Sequence, residues 1–308
     1  MINLEGIISA PYTPLLENGD LNPDYVATYY AHLRNNNIKG AFINGSTADF
    51  VSMTIEERNI MTSKWCEVAD DDFTTMVHVG HTSLRECQSM AEHAGKCGAK
   101  VISTLPPFYF KPGNIDLLLD FCADIASVNP NIPFIYYHIP ELTGVDFNMI
   151  EFLDKGRQKM PNLIGIKFTK HDLMDYKLTL DHNHGQNVLF GVDEVMLSSL
   201  PMGGNGWVGS TYNHAAPVYQ RIIALFEEGK MEEAARLQHT IMQFIKITAS
   251  YGWGGASKYL LKFSGLDCGP VRAPHKNLSA NEKLNLEKDL TKIGYFELLN
   301  SLKLQSVG

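Results

Sequence analysis

Along the first 229 residues, short apolar segments alternate eight times with longer segments in which apolar side chains recur at helical spacing. This alternation restricts the possible folds more than any other feature of the chain. Several of the short segments are apolar at nearly every position, which is typical of parallel strands whose sheet is covered by helices. The predicted strands span residues 6–10, 40–44, 74–80, 100–105, 133–137, 163–168, 188–190 and 207–210.

Eight such units predict an α/β protein with a (β/α)8 TIM barrel formed by residues 1–229. No strand pattern follows Gly229, and residues 230–308 are predicted to form a helical C-terminal extension packed on the barrel, with Ala234 and Phe244 on one apolar stripe. No linker rich in Pro, Gly or Ser separates the two parts, so we expect a single structural unit. An open doubly wound sheet uses the same alternation and is the alternative architecture.

Several helix starts are marked in the sequence. Asn22-Pro23 predicts a cap followed by a first-turn proline for the first helix. Residues 54–57 and 83–86 match the capping-box pattern, which begins with Ser or Thr and ends with Glu. Residues 279–282 repeat this pattern in the extension and predict a further helix there.

The net charge and the cysteines limit the class of protein. A formal charge of −8 does not favour binding to nucleic acid or to anionic lipid. The five cysteines are odd in number and form no C-x-x-C pair, which argues against a disulfide framework or a thiolate zinc site and fits a reducing compartment. The first residues lack the basic and apolar regions of a signal peptide, and no apolar run could span a membrane. We therefore expect a cytoplasmic protein.

Residues 204–209 spell G-x-G-x-x-G. The dinucleotide fingerprint requires a strand before the motif and a helix that opens inside it. Here the second half of the motif is itself strand-like, and the eighth helix is predicted to begin later, near Pro217. Nucleotide binding is therefore not predicted.

Two pairs of histidines are candidate metal ligands. His182 and His184 lie in a polar loop and are interpreted as part of a solvated turn. His78 and His81 have no clustered carboxylate that would complete a metal site. No metal site is predicted from these residues.

Lys167 lies at the C-terminal end of the sixth predicted strand, on the side of a barrel where active sites assemble. Strand alternation directs Ile164 and Ile166 toward the helices and Gly165 and Lys167 toward the interior. Burying an ammonium group is costly, and desolvation lowers the pKa of a lysine, which prepares the amine to attack a ketone. The alternative is a lysine whose charged end reaches solvent at the strand end.

Tyr136 and Tyr137 end the fifth predicted strand. Adjacent residues of a strand point to opposite sides, so only one of the two can enter the barrel beside Lys167. A phenol in that place could transfer protons during imine formation and carbon–carbon cleavage. The alternative is an aromatic residue that serves only strand stability.

Polar turns follow three other strands. Gly45-Ser46-Thr47 offers backbone N–H groups and two hydroxyls to a carboxylate, although ordinary turn formation also accounts for it. Gly191-Val192-Asp193-Glu194 places two acids at a helix start, where they either complement the helix dipole or bind the hydroxyls of a polyol. Residues 209–213 occupy the corresponding place after the eighth strand.

Taken in order, these segments resemble the pyruvate-dependent lyase family that includes dihydrodipicolinate synthase and N-acetylneuraminate lyase. The resemblance extends from Gly6 to about Arg272, and the order of the matching segments on successive strands makes it specific. The most specific segments are residues 45–47, 137–140, 165–169, 191–194 and 209–213.

The resemblance implies roles for individual residues. Lys167 would form the Schiff base and Tyr137 would transfer protons, while Ser46 and Thr47 would hold the carboxylate derived from pyruvate. Tyr109 matches a tyrosine that family members insert into a neighbouring subunit, which implies a homotetramer of paired dimers. The remaining implied contacts to the substrate come from Thr169, Gly191, Asp193, Glu194 and Ser210.

Within the family, the lyase branch is favoured over the synthase branch. Synthases usually carry an arginine shortly after the proline that matches Pro140, and residues 141–144 contain none. One departure concerns the loop after the second strand, where the family usually has G-S-T-G-E and this chain continues with Ala48, Asp49 and the bulkier Phe50. Ala48 would be strained if its position required a positive φ.

The expected reaction is class I (Schiff-base) aldolase cleavage of N-acetylneuraminate to N-acetylmannosamine and pyruvate. No cofactor is expected, because the cationic imine accepts the electrons of the broken carbon–carbon bond. One alternative is an aldolase of the same family that acts on another 2-keto-3-deoxy acid. Another is a non-catalytic protein that binds sugar acids, which the altered loop at Ala48 would favour.

Overall fold

Parallel pairing between neighbouring strands closes the sheet of this protein into a barrel. The structure, a computed structural model, describes residues 3–305. In this range the strands are β1 (Gly6–Ser9), β2 (Gly40–Ile43), β3 (Thr74–His78), β4 (Val101–Thr104), β5 (Phe134–His138), β6 (Leu163–Phe168), β7 (Asn187–Phe190) and β8 (Gly206–Gly209). The helices are α1 (Tyr25–Asn35), α2 (Ile55–Val68), α3 (Leu84–Lys96), α4 (Ile115–Ala126), α5 (Pro140–Thr143), α6 (Met149–Lys159), α7 (Leu173–Asp181), α8 (Met196–Ser199), α9 (Tyr212–Glu227), α10 (Met231–Ser250), α11 (Trp253–Leu260), α12 (Ala280–Lys292) and α13 (Tyr295–Gln305).

The closure of the barrel depends on the pairing of its first and last strands. β1 pairs in parallel with β8 as well as with β2, and Ile7 and Ile8 lie opposite Trp207 and Val208. An open sheet would leave these two strands unpaired at its edges. The predicted (β/α)8 barrel is therefore confirmed, and the doubly wound alternative is excluded.

Apolar side chains form one cluster inside the barrel and a second, larger one between the strands and the helices. Alternation along each strand divides its residues between the two clusters, so that on β3 Met76 points inward and Val77 points toward the helices. The inner cluster includes Ile8, Phe42, Met76, Val101, Ile135, Tyr137, Leu189 and Val208. Because this cluster fills the barrel, a ligand can approach only its ends.

The sixth strand departs from simple alternation near its start. The pairing of β5 with β6 shifts register after Phe134, and Gly165 has φ 153° with no room for a side chain beside the carbonyl of Asn187. This irregularity turns Ile164 into the barrel interior, so the prediction that Ile164 faces the helices is wrong. Beyond it the expected alternation returns, and Ile166 faces the helices.

The helix starts agree only in part with their sequence signals. Complete capping boxes precede α2 at Thr54 and α12 at Ser279. Before α3, the Ser83 side chain accepts a hydrogen bond from the backbone N–H of Glu86, but the Glu86 side chain does not bond back to the Ser83 backbone. The prediction of Asn22 as the cap of the first helix is wrong, because Asp24 is the N-cap residue of α1, which starts at Tyr25. The predicted start of the eighth helix near Pro217 is confirmed for its regular part: α9 opens with a short turn at Tyr212, and the helix proper begins after the non-helical backbone at Ala215.

The C-terminal extension consists of helices, as predicted, and joins the outer apolar cluster of the barrel. α10 packs along α9, and the rings of Phe244 and Tyr295 stack at 4.3 Å between α10 and α13. The buried side chains of α10 recur at helical spacing: Ala234, Gln238, Ile241, Phe244 and Thr248. None of the helices described is both long enough and apolar enough to cross a membrane.

Candidate active site

A cavity of about 620 Å³ opens at the C-terminal ends of the strands. Its floor is formed by residues that end or follow the barrel strands, and α11 and the segment after it cover one side. The sequence-predicted residues that line the cavity are Ser46, Thr47, Tyr137, Lys167, Thr169, Gly191, Asp193, Glu194 and Ser210. Residues that are far apart in the sequence and were predicted to act together therefore share one site.

Lys167 points from β6 into this cavity and is 4% exposed. Its Nζ lies 4.1 Å from the ring centre of Phe42 and 4.0 Å from that of Tyr137. Burial lowers the pKa of Lys167 to about 7, against the opposing effect of the Asp193 carboxylate. A substantial fraction of this amine is therefore neutral, and nucleophilic, at physiological pH.

Tyr137 is the tyrosine of β5 that enters the barrel, while Tyr136 faces outward and stacks on Phe152 at 4.4 Å. The hydroxyl of Tyr137 lies 3.4 Å from the Ser46 hydroxyl. Burial raises the pKa of Tyr137 to about 12, although the Ser46 hydroxyl opposes this effect. Tyr137 is therefore a phenol and not a phenolate at neutral pH, so it has a proton to donate beside Lys167.

The backbone of the loop after β2 shows whether position 48, where the family usually has glycine, requires a positive φ. Residues Ser46–Ala48 form a 3-10 helix, and the left-handed residues of the loop are Asn44 before it, with φ 57°, and Asp49 after it, with φ 56°. Ala48 is therefore unstrained, and a glycine is not required there. Phe50 is buried at the cavity wall, with its ring centre 4.8 Å from that of His78, and anchors the loop to the barrel.

Two glycines make room for the polar groups after β6 and β7. A Cβ on Gly191 would collide with the Thr169 hydroxyl, and a Cβ on Gly209 would lie 2.6 Å from the carboxyl carbon of Asp193. Asp193 can therefore lie flat against β8, where its carboxylate accepts hydrogen bonds from the backbone N–H and the hydroxyl of Thr211. These bonds fix the carboxylate at the cavity wall.

Glu194 follows Asp193 and is held by the extension. Gln238 of α10 donates to the Glu194 carbonyl at 2.9 Å and accepts from the Leu197 N–H at 3.0 Å. Burial, together with the nearby charge of Asp193, raises the pKa of the Glu194 carboxyl above its usual range. The pair thus offers acceptors, and with a protonated Glu194 a donor, to hydroxyl groups of a ligand.

Several lining residues were not predicted from the sequence, because they come from segments without a recognisable motif. Lys258 of α11 is 6% exposed and donates to the Pro270 carbonyl at 2.6 Å. The Arg272 guanidinium bonds both carboxylate oxygens of Glu57, so it is already neutralised. Other residues in this group are Phe108, Ile139, Glu141, His171, Trp253 and His275. Only their position in the folded chain identifies them.

Tyr109 is the predicted catalytic residue that the fold does not bring to this chain's own cavity. It lies in the segment between β4 and α4, and it is 78% exposed. The next residue, Phe110, is 85% exposed and packs edge-on against it at 5.0 Å. Two adjacent exposed aromatic side chains are unusual on a free surface and typical of a contact with another chain.

Comparison with known proteins agrees with this geometry. Residues 3–293 match the model of the dihydrodipicolinate synthetase family. The chain is 36% identical over 282 residues to N-acetylneuraminate lyase of Homo sapiens, covering 90% of this chain and 88% of that protein. It is 34% identical to N-acetylneuraminate lyase A of Xenopus laevis, with 94% and 97% covered. The structure of the N-acetylneuraminate lyase (sialic acid aldolase) of Aliivibrio salmonicida superposes with a TM-score of 0.92 at 31% identity, covering 96% of this chain and 98% of that one.

Proposed function

The chain belongs to the dihydrodipicolinate synthetase family, and we propose that it is a sialic acid aldolase, which cleaves N-acetylneuraminate to N-acetylmannosamine and pyruvate. The observation that carries the proposal is the buried amine of Lys167, whose pKa is lowered to about 7 inside a cavity lined by the other expected residues. The enzyme is then a carbon–carbon lyase that works through a Schiff base.

In the first step, neutral Lys167 attacks the C2 ketone of the open-chain sugar acid. Loss of water leaves a cationic imine. Removal of the proton from the C4 hydroxyl then lets the C3–C4 bond break, with its electrons moving into the imine to give an enamine. N-Acetylmannosamine departs as the aldehyde, and protonation of the enamine at C3 followed by hydrolysis releases pyruvate and free Lys167.

Tyr137 and the loop after β2 serve the proton transfers of this sequence. Because Tyr137 is protonated, it receives the C4 proton while passing its own to the substrate carboxylate, which Ser46 and Thr47 hold. The 3.4 Å separation of the Ser46 and Tyr137 hydroxyls supports this relay. Thr169, at the end of β6, helps to place the substrate between Lys167 and Tyr137.

The carboxyl groups of Asp193 and Glu194, the acid pair of the cavity, support a sugar acid as the substrate. Asp193, Glu194 and Ser210 bind the hydroxyls of the glycerol tail, and Gly191 leaves space beside them. An amino-acid aldehyde with a second carboxylate would instead need a free arginine. Of the described residues that line the cavity, the arginine is Arg272, which Glu57 already neutralises.

The exposed pair of aromatic residues supports an oligomer. We propose that Tyr109 enters the cavity of a neighbouring subunit in a homotetramer of paired dimers, where it completes the proton relay. The proposed location is the cytoplasm, where the five cysteines would stay reduced; they form no disulfide in the structure.

Borohydride reduction in the presence of pyruvate tests the proposal. The imine is reduced to a stable amine, and peptide mass spectrometry should find the pyruvyl adduct on Lys167. Lys258 is the matched control, because it is also a buried lysine of the cavity and burial lowers its pKa to about 8. Lys258→Met should still trap pyruvate, and Lys167→Met should not. An adduct on Lys258, or none on any residue, would refute the assignment.

A panel of substrates then tests the sugar. N-Acetylneuraminate should be cleaved with a higher kcat/KM than other 2-keto-3-deoxy acids. Faster cleavage of one of those acids would keep the imine mechanism and replace the substrate. Binding of N-acetylneuraminate without release of pyruvate would indicate a non-catalytic sugar-acid binding protein.

A further inference from the structure

Three potential metal ligands meet at the end of the barrel opposite the cavity. Asp154 lies on α6, His182 follows the last residue of α7, and His184 lies in the loop that leads to β7. His182 Nε2 is 2.9 Å from Asp154 Oδ2, and His184 Nε2 is 3.6 Å from Asp154 Oδ1. The two imidazole ring centres are 4.6 Å apart, with the rings nearly perpendicular. One donor atom from each residue lies within 4.8 Å of the other two.

The carboxylate of Asp154 has an unused acceptor. Oδ1 is enclosed by protein and accepts no hydrogen bond, although the Arg157 guanidinium and the His184 ring lie 3.3 and 3.6 Å away. The hydrogen bond to His182 holds the pKa of Asp154 below its usual value, so the group is a carboxylate at neutral pH. The Arg157 guanidinium already supplies a positive charge 3.3 Å from Oδ1, and the lone pairs of Oδ1 that no hydrogen bond uses remain available to a metal ion.

We propose that Asp154, His182 and His184 form a binding site for a divalent transition-metal ion, with Zn²⁺ as its natural occupant. Zinc bound by imidazole nitrogen or carboxylate oxygen at about 2.0–2.1 Å in a tetrahedron requires donor atoms about 3.3 Å apart. The donor atoms, one from each residue, lie within 4.8 Å of one another, so the side chains must rotate toward the ion to reach this spacing. Two nitrogens and one oxygen form a donor set that favours Zn²⁺, Co²⁺, Ni²⁺ or Cu²⁺ over Mg²⁺ and Ca²⁺.

The ion would take the place of the His182 proton that lies between the imidazole nitrogen and the Asp154 carboxylate, and the other contacts of these side chains would remain. In the neutral ring, His182 Nε2–H donates to the Asp154 carboxylate, and metal binding substitutes the ion for that hydrogen between nitrogen and oxygen. Both imidazoles and the carboxylate must be deprotonated, so the affinity falls as the pH is lowered. The fourth position is left to water, because all three side chains are partly exposed at this surface.

The position of the site determines its role. β7 runs from this loop to Asp193 and is four residues long, so roughly 13 Å of strand separates the metal site from the acid pair of the cavity. A bound ion would join α6 to the loop between α7 and β7. It would stabilise the N-terminal end of the barrel and leave the chemistry at Lys167 unchanged.

Titration of tag-free protein with Zn²⁺ tests the proposal. We expect binding of one ion per chain by isothermal titration calorimetry, a rise of a few degrees in melting temperature, and tetrahedral absorption bands when Co²⁺ is used as the probe. His182→Gln, His184→Asn and Asp154→Asn should each weaken Zn²⁺ binding at least tenfold. Asparagine is chosen at position 184 because that residue has φ 50°, which asparagine tolerates. His239→Gln, at an exposed histidine of α10, is the matched control and should bind Zn²⁺ like the wild type.

The outcomes separate this site from the active site. Pyruvate trapping on Lys167 should be the same with Zn²⁺ and with a chelator, and the metal readouts do not depend on aldolase activity. Zn²⁺ binding that is unchanged in the three ligand variants, or absent from the wild type, would overturn the proposal. Octahedral Co²⁺ spectra without a rise in melting temperature would show an adventitious ion only and would overturn it as well.

Discussion

At the scale of single residues, Lys167 lowers the stability of the folded protein at the position to which we assign the imine chemistry. It is an ammonium-bearing side chain against the rings of Phe42 and Tyr137, with Asp193 as the charged group that favours its protonation. A lowered pKa means that folding must either desolvate the charge or release a proton. The same cost supplies the neutral amine that imine formation requires.

Lys167→Met should therefore abolish cleavage and raise the free energy of unfolding by roughly 2–4 kcal/mol at pH 7. Burial lowers the pKa to about 7 from 10.5, so the cost in the wild type is full below pH 7 and disappears as the pH rises toward 10.5. The difference between variant and wild type should shrink over that window, as measured by denaturant unfolding at pH 7 and pH 9.5. Lys96→Met, at a side chain 71% exposed, should show almost no difference at either pH. A constant difference would contradict the assigned burial.

Gly209→Ala tests how the acid pair is placed. The new Cβ would lie 2.6 Å from the carboxyl carbon of Asp193 and push the carboxylate away from β8. We expect the KM for the sugar acid to rise at least tenfold, while pyruvate trapping at Lys167 persists because the imine end of the cavity is untouched. Gly113→Ala is the control, since Gly113 has no neighbouring atom within 4 Å of the added carbon. An unchanged KM would remove Asp193 from the set of sugar contacts.

The site residues that end or follow a strand were predictable from the sequence, and the other site residues were not. Lys167, Tyr137 and Asp193 each end or follow a strand, and parallel strands bring such residues to the same rim. Lys258 and His275 were not predictable in this way, because α11 and the segment between α11 and α12 position them, and no local sequence pattern marks their approach to the cavity. Asp154 near His182 is a similar case, since 28 residues separate them in the sequence.

At the scale of elements, the loop after β2 shows that a family pattern does not by itself assign a backbone conformation. After Gly45 the positive φ is at Asp49, one residue beyond the usual glycine position, and Ala48 belongs to the 3-10 helix. Asp49 can hold this conformation because short polar side chains tolerate the left-handed region. Its carboxylate lies 3.7 Å from His275, which links the loop to the extension.

Replacing Ala48 or Asp49 of this loop by glycine should change the free energy of unfolding differently. Ala48→Gly should lower the free energy of unfolding by about 0.5–1 kcal/mol, because glycine loses more conformational freedom on folding. Asp49→Gly should leave it unchanged or raise it by up to about 1 kcal/mol, because the strain of a positive φ is relieved. Denaturant unfolding of both variants measures the difference. Stabilisation by Ala48→Gly would show that the positive φ belongs to position 48.

The strands were predicted to within one or two residues, and the first helix begins two residues beyond its predicted first-turn proline. Near-continuous apolar runs and Gly or Pro at their ends define a buried strand locally. A helix start depends on which backbone groups find partners in the folded chain, and α1 begins at Tyr25 although Asn22-Pro23 is the stronger local signal. Ile164 was assigned to the wrong side because the irregular pairing at Gly165 depends on β5 and β7, which the sequence of β6 does not contain.

At the scale of the whole molecule, the extension and the barrel share one apolar core and one cavity. Gln238 holds the loop that carries Glu194, and Arg272 binds Glu57 at the start of α2. These contacts reach the loops after β7 and β2 from the same C-terminal segment. The cavity is therefore a product of both parts of the chain.

Calorimetry should accordingly show a single unfolding transition for the full chain. A chain that ends after residue 229 should fail to fold or should aggregate, because it exposes the apolar side chains of α9 that α10 covers. Addition of a separately expressed segment of residues 230–308 should restore folding only if the two associate. Two resolved transitions, or a folded and monomeric truncated barrel, would show that the parts are independent domains.

The pairing of β1 with β8 also has a consequence for the nascent chain. While the ribosome is still making residues before Gly206, the barrel lacks its last strand and water reaches the interior. A solvated Lys167 has the ordinary pKa of 10.5, so at neutral pH only a very small fraction of its amine is neutral and able to attack a carbonyl group. On the proposed mechanism, the nucleophile arises only when translation has delivered the closing strand, so an unfinished polypeptide carries Lys167 without the reactivity proposed for it.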